Sequence, residues 1–142
     1  MDAPYSDLCA AIASESGYVA TPQGDSMFPM LRDGRDSVRI VPPPPAAVRG
    51  DVLLYVRADG THVLHRVRAV TDHGYTMCGD GQTVCEYGVP HSAVLGILHG
   101  VWRGNTYLPV TAKRYRMYVA VWCLSLRLRK ILLFFIRPRR AK

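Results

Sequence analysis

The stretch DVLLYVRADGTHVLHRVRAV, residues 51–70, decides the fold class of this chain. It contains two apolar or alternating runs, 51–57 and 61–70, each of a length typical of a β-strand. Between them lies Asp59-Gly60, a dipeptide that favours the tight turn of a β-hairpin. We therefore expect the two runs to pair as antiparallel strands across a type I′ turn.

Similar short runs continue on both sides of this hairpin, and each is bounded by Gly, Pro, Asp or Asn. They lie at 37–41, 74–78, 94–102 and 105–110. Residues 4–16 instead place Leu8, Ala11 and Ile12 on one side of a helical projection, which predicts a short N-terminal helix. The chain is therefore expected to adopt a mainly-β fold that begins with this helix.

The distribution of charge divides the 142 residues into two parts. Residues 1–112 contain eight arginines, no lysine and eleven acidic residues, which gives them a formal charge of −3. Residues 113–142 contain ten basic residues and no acid, so they carry +10 and account for the net charge of +7. We predict a body over 1–112 and a cationic tail over 113–142. We do not expect the acidic body to bind nucleic acid, because such binding requires clustered cations.

The segment GDSMFPML, residues 24–31, combines a serine with features that can expose it. Gly24 allows a sharp turn, and Ser26 is followed by apolar residues that can anchor it. This pattern resembles the nucleophile box of the type I signal peptidase and LexA-like serine peptidase superfamily, whose serine is followed by Met and, one residue on, by Pro. The resemblance implies a LexA/signal-peptidase-like β-fold, Ser26 as nucleophile, and substrate contacts at Met27 and Pro29.

A serine nucleophile needs a base, which in most of this superfamily is a lysine, and residues 1–112 contain none. Residues 64–67, Leu-His-Arg-Val, instead resemble the endoplasmic-reticulum-type signal peptidases, in which a histidine replaces that lysine. Strand periodicity places His65 on the same face as Val63 and Val67, which predicts a half-buried imidazole. His65 is therefore the expected general base, and a histidine that only completes the core is the alternative.

The remaining parts of the expected site come from two further segments. Residues 78–81, Cys-Gly-Asp-Gly, resemble the Gly-Asp box of the family, which implies that Asp80 orients His65. A simple turn role for Asp80 is the alternative, and Glu86 and Asp51 are the substitutes as orienting acid. The resemblance also implies an oxyanion hole beside Ser26. Some relatives place a serine at the position that Gly24 occupies, so the turn at Gly24 and Asp25 predicts a hole made of backbone N–H groups alone.

The tail has apolar runs at 117–126 and 131–136 that are interrupted by cations. On a helical projection one narrow stripe is made up of Arg116, Ala120, Cys123, Arg127, Lys130 and Arg137, and most of the remaining positions are large and apolar. This pattern predicts one amphipathic helix that lies on an anionic membrane surface. A helix packed on the body is the alternative. Residues 1–20 contain three acids, and we expect neither a signal peptide nor a membrane anchor there.

Four cysteines at irregular spacings do not form the pattern of a disulfide framework, so we expect reduced thiols and hence a cytoplasmic environment. A zinc site could draw only on Cys78, Cys85, His73 and His91, whose spacing matches no known ligand set. We therefore expect no metal, and the resemblance implies no cofactor.

Together these features predict a membrane-associated hydrolase. It would be a serine endopeptidase of the signal peptidase I type, in which Ser26 and His65 cleave an extended peptide or preprotein, as in signal peptide processing. Two alternatives remain: a catalytically silent peptide-binding module of LexA type, and a relative of the self-cleaving repressors.

Overall fold

One antiparallel sheet organises the computed structural model, which describes residues 5–137. The helices are α1 (Tyr5–Ala13), α2 (Lys113–Trp122) and α3 (Leu126–Ile136). The strands are β1 (Tyr18–Ala20), β2 (Asp36–Val41), β3 (Val52–Val56), β4 (His62–Thr71), β5 (Gly74–Cys78), β6 (Glu86–Val89), β7 (Val94–Arg103) and β8 (Thr106–Pro109). The predicted mainly-β fold and its N-terminal helix are confirmed. The closer likeness to the LexA and signal peptidase fold stays a prediction.

The strand order is β1-β2-β7-β3-β4-β5-β6, and β8 pairs with β7 outside this path. Because β7 lies between β2 and β3, the chain must cross from one to the other along the proline-rich segment 42–45. Strands β1 and β6 were not expected from the sequence. They contain three and four residues, and so short a segment cannot display a clear alternation of apolar and polar positions.

The hairpin of β3 and β4 forms as predicted, with Leu54 opposite Leu64. Its expected type I′ turn is wrong. The Gly60 N–H donates to the Arg57 carbonyl at 2.9 Å, and Gly60 has a φ of +86°. A type I′ turn also needs a positive φ at Asp59, and no residue other than glycine has one in the described part of the chain. The single left-handed position is therefore taken by glycine, which has no Cβ to clash there.

Both faces of the sheet are covered. On one face, α1 and α2 pack over the apolar side chains that alternate along β3, β7 and β2; this core includes Leu8, Ile12, Val38, Ile40, Val52, Leu54, Leu64, Leu98, Val101 and Tyr115. The other face carries a smaller core of Leu53, Tyr55, Val63, Val67, Tyr75, Met77 and Val89. The side chains of residues next to each other along β4 therefore point into different environments, and both environments are buried.

The tail does not form the single helix that its apolar runs predict. Helix α2 ends at Trp122, and α3 begins after Ser125, whose hydroxyl accepts hydrogen bonds from the N–H groups of Arg127 and Leu128. This N-cap satisfies donors that would otherwise be unpaired at the start of α3. The inner side of α2 and α3 packs on the body, with Trp122 and Leu133 buried against Phe28. Among residues 5–137, no helix has both the length and the apolar character needed to cross a membrane.

A buried ion pair joins the sheet to the loop that follows β5. The Arg66 guanidinium donates from Nε and Nη2 to the two carboxylate oxygens of Asp80, each at 2.8 Å, and both side chains are at most 1% exposed. Arg66 also donates to the Gly50 carbonyl at 2.7 Å and to the Tyr115 hydroxyl at 3.2 Å. Two charges can be buried in this way because the geometry is bidentate and other groups take up the remaining donors.

Helix α2 completes the surroundings of this pair from the other side. The Tyr118 hydroxyl donates to the Asp80 carboxylate at 2.9 Å, and the Trp122 indole N–H donates to the Asp80 carbonyl at 2.8 Å. The tail therefore supplies hydrogen bonds that the buried Asp80 requires, so α2 belongs to the folded body in structural terms.

We expect Asp80→Asn and Arg66→Met each to lower the free energy of unfolding by about 3–5 kcal/mol, because either change leaves one buried charge without its partner. Urea unfolding followed by circular dichroism measures the loss. Arg57→Gln is the matched control: it removes an arginine from the half-exposed pair with Glu86, at 3.2 Å, and should cost less than about 1 kcal/mol. Equal losses in all three variants would contradict a special role for the buried pair.

Candidate active site

Ser26 lies in the loop between β1 and β2, where a turn presents it to solvent. The Phe28 N–H donates to the Asp25 carbonyl at 3.0 Å and closes this turn, while Met27 and Phe28 are buried beside it. Ser26 itself is half-buried and lines a cavity of about 410 Å³. His65 and Gln82 line the same cavity. The structure thus brings the expected nucleophile and the expected base to one site.

The loop after β5 presses directly on the serine turn. The Gly81 N–H donates to the Ser26 carbonyl at 2.8 Å. A Cβ atom added to Gly79 would lie 2.3 Å from that carbonyl oxygen and 3.1 Å from Cδ2 of His65. A Cβ at Gly81 would lie 2.3 Å from the Asp25 carbonyl oxygen. Glycine is therefore required on both sides of Asp80, and the serine turn and the imidazole approach each other across Gly79.

The imidazole of His65 is buried and is oriented by a neighbouring tyrosine. Its Nδ1 atom lies 3.4 Å from the hydroxyl oxygen of Tyr55, and that hydroxyl donates to the Glu86 carboxylate at 2.7 Å. Since the Tyr55 hydroxyl proton is directed at Glu86, the Tyr55 oxygen can accept a hydrogen bond from an N–H group at Nδ1. This favours the tautomer protonated at Nδ1, which leaves the lone pair of Nε2 available to take a proton.

The surroundings of His65 keep it neutral at pH 7. Burial lowers the pKa of His65 to about 4, and the nearby Arg57 acts in the same direction, while the charges of Glu86 and Asp80 oppose the shift. Burial would also raise the pKa of Glu86, but hydrogen bonds from Tyr55 and Arg57 outweigh this and lower it. Glu86 is therefore ionised at neutral pH, where it accepts the hydrogen bond from Tyr55.

Asp80 does not take the orienting position that the family resemblance implies. Its carboxylate is occupied by Arg66 and Tyr118, and within residues 5–137 no hydrogen bond joins it to His65. Successive side chains of a strand point to opposite faces, so the acid that pairs with Arg66 lies away from the imidazole of the preceding residue. Glu86, the substitute, reaches His65 through Tyr55. Asp51, the other substitute, accepts a hydrogen bond from the Val48 N–H at 2.9 Å in a turn.

The turn before Ser26 is open at Gly24. Gly24 has a φ of +84°, and apart from its own chain neighbours no atom of the described chain lies within 4 Å of the position of a Cβ atom there. The Ser26 N–H donates to no acceptor among residues 5–137. An oxyanion hole made of backbone groups requires an N–H group that is available to donate, and the Ser26 N–H meets this condition in the described part of the chain.

The two expected substrate contacts differ in position. Met27 lines the 410 Å³ cavity, and its sulfur accepts a hydrogen bond from the Asp80 N–H at 3.4 Å. Pro29, which follows a cis peptide bond, is not among the described residues that line the cavities around Ser26. The substrate contact expected of Pro29 stays a prediction.

Two further cavities flank the one at Ser26. A cavity of about 600 Å³ shares Arg57, His65 and Gln82 with it and continues past Glu86. A cavity of about 700 Å³ shares Gly24 with it and continues past Phe28 to Arg137 at the end of α3. The three spaces form a row with Ser26 in the middle, which suits an extended chain more than a small compact molecule.

Sequence reasoning missed Arg129 and Tyr55. Arg129 on α3 is buried, and its guanidinium donates to the carbonyl oxygens of Gly79 at 3.2 Å and of Gln82 at 3.3 Å. It thereby holds the loop that touches both Ser26 and His65. The helical projection could not identify Arg129, because it looked like one more cation of an exposed tail. Tyr55 looked like an ordinary apolar position of β3.

Among residues 5–137, no three His, Cys, Asp or Glu side chains are grouped so that they could hold a metal ion. Comparisons of the chain with protein-family models, with curated proteins and with solved structures each found no match.

We expect the stability of the protein to fall as the pH drops from about 6.5 to about 4. In this interval unfolded His65, with its ordinary pKa of 6.5, binds a proton that the folded state excludes, so acid favours unfolding. The contribution of this one group is about 3 kcal/mol. Urea unfolding at several pH values measures it. His65→Gln should flatten the dependence, whereas His73→Gln, at an exposed histidine, should leave it unchanged. An equal slope in His65→Gln and the parent would contradict the assignment.

Proposed function

We propose that this protein is a serine endopeptidase in which Ser26 is the nucleophile and His65 is the general base. The observation that carries the proposal is the shared cavity: it is lined by a half-buried serine and by a neutral imidazole, and among residues 5–137 the N–H group of the serine donates to no acceptor. These are three groups that acyl transfer to a serine needs.

The first half of the reaction forms an acyl-enzyme. Nε2 of His65 accepts the proton of the Ser26 hydroxyl as the oxygen attacks the carbonyl carbon of the scissile peptide bond. The resulting oxyanion is stabilised by the Ser26 N–H. The carbon–nitrogen bond then breaks, and His65 returns its proton to the leaving amine. An ester between Ser26 and the N-terminal part of the substrate remains.

The second half hydrolyses this ester. Water occupies the place of the departed amine and gives a proton to His65 as its oxygen attacks the ester carbonyl. Collapse of the intermediate breaks the bond to Ser26, and His65 returns the proton to the serine oxygen. The acid product leaves and the enzyme is regenerated, so no other reactant is needed.

Tyr55 and Glu86 act on the imidazole in both halves. Attack turns His65 into an imidazolium, which burial disfavours, as its pKa of about 4 indicates. The negative charge of Glu86 lies behind the Tyr55 hydroxyl and favours that cation. Within residues 5–137 no hydrogen bond joins Ser26 to His65, so we infer that a bound peptide excludes water from the cavity and tightens this contact.

The substrate class follows from the row of cavities and from the resemblance together. The row suits an extended peptide, with Ser26 at its centre. The resemblance of residues 24–31 and 64–67 to the histidine-type signal peptidases suggests a preprotein cleaved once. The missing hydrogen bond between Ser26 and His65 favours one rival, a catalytically silent module that binds peptides in the same row. Only catalysis separates the two.

We expect Ser26→Ala and His65→Gln each to abolish peptide cleavage, and the double variant to be no worse than either, because both residues serve one acyl-transfer step. The measurement is mass spectrometry of new peptide termini in a peptide library, together with labelling of Ser26 by a fluorophosphonate probe. Matched controls are Ser92→Ala and His73→Gln, at exposed positions that do not line the three cavities around Ser26. Cleavage by Ser26→Ala, or a parent protein that neither cleaves nor reacts with the probe, would contradict the mechanism.

We expect Tyr55→Phe to lower kcat by about 10²-fold with little change in KM, because it removes the oxygen that sets the tautomer of His65. In Glu86→Gln the negative charge beside the imidazole is lost, so the pKa of His65 should fall and the acid limb of kcat/KM should move to lower pH. Tyr87→Phe is the matched control, since Tyr87 is exposed. A pH profile unchanged in Glu86→Gln would exclude Glu86 from the site.

A further inference from the structure

The outward side of α2 and α3 exposes an unusual number of large apolar side chains. We define this outer face by Met117, Val121, Leu124, Leu128, Ile131, Phe134, Phe135 and Ile136. Their exposed fractions run from 37% for Leu128 to 78% for Phe134. Scattered single apolar residues are normal on a protein surface, but a continuous set on two successive helices marks a surface that meets an apolar partner.

Exposed cations lie on the same two helices as the outer face, and acids are absent from this part of the sequence. Exposed basic side chains lie along both helices: Lys113, Arg114, Arg116, Arg127, Lys130 and Arg137. Residues 113–142 contain no aspartate or glutamate. The partner that fits this surface therefore has an apolar interior and negatively charged groups at its own surface.

The orientation of the two helices is set by what they bury. Tyr115 and Trp122 on α2, and Arg129 and Leu133 on α3, all face the body and are at most 7% exposed. Arg129 donates to the Trp122 carbonyl at 3.0 Å, which ties the second helix to the end of the first. The apolar residues of the outer face consequently cannot turn inward, and they form a pre-organised surface.

We propose that the outer face of α2 and α3 docks on an anionic lipid surface, with both helices lying in the plane of the interface. Large apolar side chains would enter the boundary between headgroups and acyl chains, while lysine and arginine contact the phosphates. The proposal goes beyond peptidase activity and does not depend on it.

Two other occupants fit the same surface less well. A second copy of the chain would bring its own cations against those of the first, and like charges disfavour such a contact. A nucleic acid would satisfy the cations, but it would leave Phe134 and Phe135 against a charged backbone. A lipid surface satisfies both features at once.

The site and the outer face are connected through α3. The inner side of this helix holds the loop at Gly79 through Arg129, and its last turn brings Arg137 to the 700 Å³ cavity beside Gly24. A membrane under the outer face would therefore lie beside one end of the row of cavities.

The test uses full-length Ser26→Ala protein, so that catalysis plays no part. It is sedimented with vesicles of phosphatidylcholine alone, or with added phosphatidylglycerol, at low salt and at about 1 M salt. We expect sedimentation with the anionic vesicles and only partial release by salt. Phe134→Ser/Phe135→Ser and Arg127→Gln/Lys130→Gln should each weaken binding at least tenfold. Val70→Ser/Tyr87→Ser changes two exposed apolar residues elsewhere and should bind like the parent.

Several outcomes would overturn the proposal. They are no sedimentation with anionic vesicles, equal binding by Phe134→Ser/Phe135→Ser, and complete release by salt, which would indicate charge alone. Sedimentation velocity without lipid examines the second copy: a dimer that Phe134→Ser/Phe135→Ser abolishes would assign the surface to self-association. Circular dichroism checks that each variant is folded, and Phe134→Ser alone replaces the double variant if it is not.

Discussion

The structure depends on the buried ion pair between Arg66 and Asp80. It connects the centre of the sheet with the loop after β5, and Tyr118 and Trp122 of α2 complete its hydrogen bonds. Removing either charge would leave the other without compensation in a dry environment, which is why so many groups converge on it. Gly79 and Gly81, which flank Asp80, contact the serine turn. The position of Ser26 is therefore a consequence of the ion pair.

Strand β4 separates structural and chemical roles by alternation. Arg66 points to the face where the ion pair lies, while the preceding His65 points to the cavity and to Tyr55. Both side chains are buried, but the consequences for their charge are opposite. The arginine keeps its charge because a carboxylate is beside it, whereas the imidazole has no direct anionic partner in the described part of the chain and is kept neutral. A neutral imidazole is the form that can act as a base.

The two C-terminal helices pack on the body on one side, and on the other side they expose apolar residues that nothing in residues 5–137 covers. Their inner residues, among them Arg129, hold the loop between Ser26 and His65, so the tail is part of the architecture of the site. Their outer face would be costly for an isolated protein to expose. The position of the outer face is fixed by the contacts of the inner residues, and its side chains are apolar. Both features are explained if a partner covers the outer face and lies beside the cavities.

By itself, the sequence determined the mainly-β fold and the hairpin of β3 and β4, and it indicated Ser26 and His65 as candidates, because strand alternation and local motifs are properties of neighbouring residues. It did not determine which acid serves the imidazole. Asp80, Glu86 and Asp51 are all acids in the sequence, and nothing in the sequence distinguishes their roles. Only the packing of the sheet placed Asp80 against Arg66, Glu86 against Tyr55, and Asp51 in a turn. The break at Ser125 and the burial of Arg129 were decided in the same way, since contacts with the body outweighed the pattern of a single amphipathic helix.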